Sequence, residues 1–109
     1  MADASSQAAQ AISEKELLQT VLELAETLGW RAYHVFESAR YARRTSKGFP
    51  DLLLLRNGKL IVAELKSEKG SLTNDQAEWL SEFKECDGVQ VFIWTPLSLL
   101  IGRIEAVLK

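Results

Sequence analysis

The chain has 109 residues, 47% of them hydrophobic and 26% charged, with 13 basic against 15 acidic side chains and a formal net charge of −2. That size and balance suit one folded domain with a real core, and they exclude a positive coat over the whole molecule while leaving room for a local basic patch. One cysteine, Cys86, and one histidine, His34, exclude an intrachain disulfide and a Cys/His zinc site, and the single thiol suits a reducing compartment.

Residues 1–12 are rich in Ala, Ser and Gln. They lack the basic start and apolar centre of a secretory signal and are expected to form a frayed or disordered lead-in, with the folded domain over 13–109. Ser13 and Glu16 stand at capping-box spacing. Leu17, Val21, Leu24, Ala25 and Leu28 then recur at helical spacing until Gly29. The aromatic-rich residues 30–36 predict a strand. Residues 37–49 are polar and irregular, and positions 40 to 47 carry Arg40, Arg43, Arg44 and Lys47 with no acid among them.

After Pro50 an apolar stretch is broken once, at Asn57-Gly58, a strong hairpin signal. It predicts strands over about 51–56 and 59–66, apolar on both faces as in a pair buried from both sides. Residues 67–72 read as a loop. Thr73 opens a helix with Trp79, Leu80 and Phe83 on its apolar side, ended by Gly88. Residues 89–94 predict a buried strand. After Thr95-Pro96, Leu99, Leu100, Ile104, Val107 and Leu108 fit one last helix. The order α-β-β-β-α-β-α predicts an α/β domain, and no apolar run is long enough to cross a membrane.

A two-residue loop at Asn57-Gly58 pairs positions that sum to 115, which sets Asp51 opposite Glu64. Directly opposed residues share a face, and Lys66, two residues beyond Glu64, shares it too. Two carboxylates facing each other destabilise a sheet. A hard divalent cation relieves them, because Mg²⁺ takes carboxylate oxygens and keeps waters. The structural alternative is a Lys66–Glu64 salt bridge with Asp51 capping the turn after Pro50.

Gly48-Phe49-Pro50-Asp51, followed after the hairpin by Glu64-Leu65-Lys66, resembles the PD-(D/E)xK nuclease motif. Together with Leu28-Gly29-Trp30, Tyr33-His34, Gly70-x-Leu72-Thr73, Gln76-x-x-Trp79-Leu80 and Trp94-x-Pro96, the chain resembles the VRR-NUC (virus-type replication–repair nuclease) family over about residues 13–108. The resemblance implies a restriction-endonuclease-like core, a mixed central sheet flanked by helices. It implies a Mg²⁺-dependent DNA endonuclease, with Mn²⁺ able to substitute. Its substrates would be branched, flap or Holliday-junction DNA in repair or phage replication. It further implies a homodimer in the cytoplasm of a bacterial or phage-infected cell. A catalytically silent nucleic-acid-binding module of the same fold is the rival reading.

Carried over by residue, the resemblance has Asp51, Glu64 and the Leu65 backbone carbonyl bind metal while Lys66 positions or activates the attacking water. An acid on the first helix often completes such a site. Helical phase puts Glu14 inward with Leu17, Leu18, Val21 and Leu24 and leaves Glu16 its capping role, so Glu14 is the expected addition to the catalytic and metal-binding set. Gln76 matches a glutamine near the family's metal site, yet Thr73-x-x-Gln76 is equally a capping box. Arg40, Arg43, Arg44 and Lys47 are expected to grip DNA phosphates beside the site. His34 reads as a satisfied strand residue rather than a base, and Trp30, Tyr33, Trp79 and Trp94 as core. Leu97-Ser98 depart from the acid often found after the family's proline, so no role is carried there.

Overall fold

The computed structural model describes residues 4–35 and 43–109. Among them the elements run α1 (Ala4–Gln10), α2 (Glu14–Thr27), β1 (Arg31–His34), β2 (Leu52–Arg56), β3 (Lys59–Leu65), α3 (Asn74–Lys84), β4 (Val89–Trp94), α4 (Pro96–Leu100) and α5 (Arg103–Leu108). The strands form one mixed sheet in the order β1-β2-β3-β4. β1–β2 and β2–β3 are antiparallel, and β3–β4 is parallel across the α3 connection, the crossover that parallel pairing requires.

The hairpin register is the expected one. Asn57 (φ 50°) and Gly58 (φ 77°) both lie at positive φ, as a type I′ turn demands. Pairing runs from Arg56–Lys59 to Leu52–Ala63, every pair summing to 115. On one face of the sheet α2 lays Leu17, Val21 and Ala25 against Leu52, Leu54, Ile61, Ala63 and Leu65. Trp94, Ile104 and Leu108 complete that core. α3 packs against β4, and Val62, on the face opposite Ile61 and Ala63, is fully buried as well.

Several expectations are corrected. β4 is not a buried strand: Trp94 is its one buried residue, and Ile93 is 45% exposed. The lead-in is not frayed over its whole length: Ala4–Gln10 are helical, Ala9 is fully buried, and α1 packs against α4, which small side chains permit. The last helix is two short ones, because Gly102 adopts φ 77° and interrupts it. The hairpin is buried on both faces only along β3; Leu55 on β2 is half exposed. Tyr33 is not core but 64% exposed.

Far from the site, one side chain fastens the hairpin to two helix ends. Arg56 Nη1 donates to Leu28 O and Leu108 O, each at 2.8 Å, and Nη2 to Lys109 O at 3.1 Å. Its guanidinium lies 4.4 Å from the centre of the Trp30 ring. The buried Trp30 Nε1 also donates to Leu108 O at 2.8 Å. Trp30 and Trp94 are core, as expected.

Candidate active site

The register that pairs Leu52 with Ala63 brings Asp51 across from Glu64 at the hairpin's open end. β1 extends its pairing to the same place, with Val35 N donating to Asp51 O at 2.8 Å. Asp51 does not cap a turn: its Oδ2 accepts from Leu65 N at 2.8 Å, which folds the carboxylate back onto the end of β3.

Glu64 is 1% exposed, and its Oε2 has no hydrogen-bond partner. Burial pushes its carboxyl up from 4.5 to about 9. The hydrogen bond and the negative charge of Asp51 push the same way, as does Glu14, while Lys66 pulls against them. Among the described residues the ion pair formed is Lys109–Glu105, so the alternative salt bridge between Lys66 and Glu64 is not made. A buried carboxylate oxygen without a donor is expensive. A hard cation would satisfy it and the Asp51–Glu64 repulsion together, and one that keeps several waters needs few protein ligands. The donor set of Asp51, Glu64 and the Leu65 carbonyl therefore fits Mg²⁺. Among the described residues no three His, Cys, Asp or Glu side chains gather closely enough to hold a metal by themselves, so Glu14 is not drawn into a three-carboxylate cage. It does line, with Lys15, Leu18, His34, Asp51 and Leu65, a cavity of about 210 Å³. Glu16 is engaged at the cap, its N–H donating to Ser13 Oγ at 3.0 Å and its Oε1 accepting from that hydroxyl at 3.1 Å.

The segment leading to Asp51 is docked on α3. Gly48 has φ 82°, and a Cβ there would stand 2.6 Å from the backbone of Asp75 and of Gln76, so only glycine lets the chain pass. Trp79 Nε1 donates to Lys47 O at 2.9 Å. Phe49 meets the Trp79 and Phe83 rings edge-on, at 4.7 and 5.8 Å. Trp79, expected in the core, is instead half-buried and serves as a fastening for this loop. Gln76 completes the capping box of α3: its N–H donates to Thr73 Oγ1 at 3.1 Å and its Oε1 accepts from Thr73 N at 2.9 Å. Its side-chain oxygen is therefore occupied with holding that helix start. On the far side of Lys66, Lys66 N donates to Trp94 O at 3.0 Å, and Glu68 Oε1 accepts from Leu97 N at 2.6 Å, tying the loop to α4.

Of the basic run, Arg40 lies outside the described residues. Arg43 is exposed and bonded through its backbone to Ser46. Arg44 and Lys47 line a cavity of about 470 Å³ whose other wall is Asp75, Glu78, Trp79 and Glu82 of α3. The run is acid-free along the chain but not in space. Sequence reasoning passed over Lys15, Glu68 and the docking role of Gly48. Only Gly48 carried a signal, in the Gly-Phe-Pro-Asp string.

A mixed four-stranded sheet flanked by helices, with two carboxylates opposed at the open end of its hairpin and a lysine two residues beyond one of them, defines an α/β domain. The chain belongs to the VRR-NUC family: the family's model, the VRR-NUC domain, matches residues 3–95. A solved structure described as a VRR_NUC domain shares the fold, with a TM-score of 0.63 over 86% of this chain and 97% of that one at 24% identity. No curated protein matches the sequence. Among the described residues no helix is long and apolar enough to cross a membrane.

Proposed function

We propose that this domain is a divalent-metal-dependent DNA endonuclease that hydrolyses phosphodiester bonds, with branched, flap or junction DNA as its substrates and a homodimer as its working form. One observation carries the reading: a buried glutamate with an unpartnered oxygen set against a second carboxylate, an arrangement that is costly to a fold and useful to a metal. Mg²⁺ or Mn²⁺ at this site would supply an activated water and offset charge on the phosphate. Asp51 and Glu64 would hold the cation, with the Leu65 carbonyl as a further ligand. Lys66, whose charge acts on Glu64, orients the attacking water. Glu14 faces the same cavity and acts on the hydration of the site. Arg43, Arg44 and Lys47 contact phosphates flanking the scissile bond. Gln76 acts by positioning, since it caps the helix on which the Asp51 segment rests.

The test is incubation with labelled linear, flap and four-way DNA in chelator, Mg²⁺ and Mn²⁺. Cleavage is expected only with metal, and it is lost in Asp51→Ala, Glu64→Ala and Lys66→Ala while DNA binding persists. Cutting in chelator, or full activity in Glu64→Ala, overturns the assignment. Binding without cutting by the wild type selects the silent module instead.

A further inference from the structure

Lys15 lies beside Glu14 on the first turn of α2 and lines the cavity it shares with Glu14, Leu18, His34, Asp51 and Leu65. The walls come from three places in the fold: α2, the end of β1, and the open end of the β2–β3 hairpin. Two carboxylates border this space, yet among the described residues Lys15 forms an ion pair with neither. At about 210 Å³ the cavity has room for several waters at roughly 30 Å³ each, or for one phosphodiester group in their place.

Charge balance gives this lysine a task. A divalent cation held by Asp51 and Glu64 cancels those two carboxylates. Glu14 and Lys66, both of which act on Glu64, cancel each other. Lys15 then leaves the loaded site with one surplus positive charge, the complement of the single negative charge on a phosphodiester. Arg44 and Lys47 are less suited to that place, because they face the acids of α3.

We propose that Lys15 is a second cation of the active site, donating to a non-bridging oxygen of the DNA phosphate seated beside Asp51. The proposal rests on the nuclease reading above. A lysine ammonium serves phosphate as a point charge and needs no bidentate fit, so it tolerates the change of phosphate geometry during hydrolysis.

The experiment compares wild type, Lys15→Gln, Lys15→Arg and Lys59→Gln. Lys59, beside the hairpin turn, is the control for a bare change of net charge. Binding of a labelled branched DNA oligonucleotide is measured in Ca²⁺, which takes the same carboxylate oxygens, across a salt series. Lys15→Gln is expected to bind about tenfold more weakly and to flatten the log–log salt slope by about 0.9. Lys15→Arg recovers most of both, and Lys59→Gln changes neither. In Mg²⁺ the Lys15→Gln variant shows a raised KM, with kcat falling less. An unchanged slope in Lys15→Gln, or an equal change in Lys59→Gln, overturns the assignment of Lys15 while wild-type cleavage leaves the nuclease reading standing. A wild type that neither binds nor cuts DNA overturns both.

Discussion

Replacing Glu64 by glutamine should make the metal-free protein more stable than wild type as pH rises. The native carboxyl is pushed from 4.5 to about 9, chiefly by burial. Between those two values the folded state holds a proton that the unfolded chain releases, so folding is favoured less as pH increases. The contribution is whole below 4.5 and is lost progressively toward 9. From pH 5 to 8 the linkage amounts to as much as about 4 kcal/mol, at 1.36 kcal/mol per unit of linked proton uptake. That is a large share of a domain stability of roughly 5–15 kcal/mol. A glutamine side chain does not titrate, so the difference between the two proteins isolates this one group. The assay is thermal melting of both in chelator at pH 5, 6, 7 and 8. The wild type should fall behind Glu64→Gln by on the order of 15 °C across the series. Asp51→Asn, which keeps an oxygen to accept from Leu65 N, should also gain over wild type above pH 5. Millimolar Mg²⁺ should reverse the trend in the wild type alone, because the metal needs both carboxylates deprotonated and its mass-action stabilisation grows with pH. Parallel curves for wild type and Glu64→Gln in chelator would refute the argument, since Glu64 would then be ionised and compensated in the native state.

Gly48→Ala should cost more than about 2 kcal/mol in urea unfolding, because the new Cβ meets the backbone of Asp75 and Gln76 at positive φ; an unchanged midpoint would mean the loop is not seated on α3. Arg56→Met should cost about 3 kcal/mol through the loss of charged donors to three carbonyls. Arg56→Lys should recover only part of that, as a lysine lacks the fork, and the measure is again the denaturation midpoint. Glu78→Gln with Glu82→Gln should tighten DNA binding several-fold at low salt and progressively less as salt screens the cavity where they face Arg44 and Lys47; unaltered affinity at low salt would show that those acids do not compete with DNA for the loop.

What could be read in advance follows the range of the determining interaction. The opposition of Asp51 and Glu64 was legible because Asn57-Gly58 admits one tight turn, which fixes every pair beyond it. Helical phase, being local, separates Glu14 from Glu16, and Glu14 lines the cavity beside Asp51, though exposed rather than buried. α1 was illegible: its Ala, Ser and Gln give no apolar periodicity, and its one buried residue is an alanine covered by a helix some ninety residues later in the chain. The role of Gln76 stayed open because one spacing serves two purposes, and its bond to Thr73 N shows the capping one. The acids facing the basic loop come from α3, about thirty residues on, beyond the reach of any charge pattern read along the chain. Arg56 falls at the end of a predicted strand, and its acceptors lie 28, 52 and 53 residues away.

The clasp around Arg56 also bears on where this domain ends. The family's pattern stops at residue 95, but a chain cut there would leave the Trp30 N–H and much of the Arg56 guanidinium without acceptors, and would strip Ile104 and Leu108 from the core. The two short C-terminal helices are thus a lock on the cooperative unit. Melting of the sheet and melting of α5 should be one event, and amide protection in α5 should match that in β2 rather than that of a fraying tail.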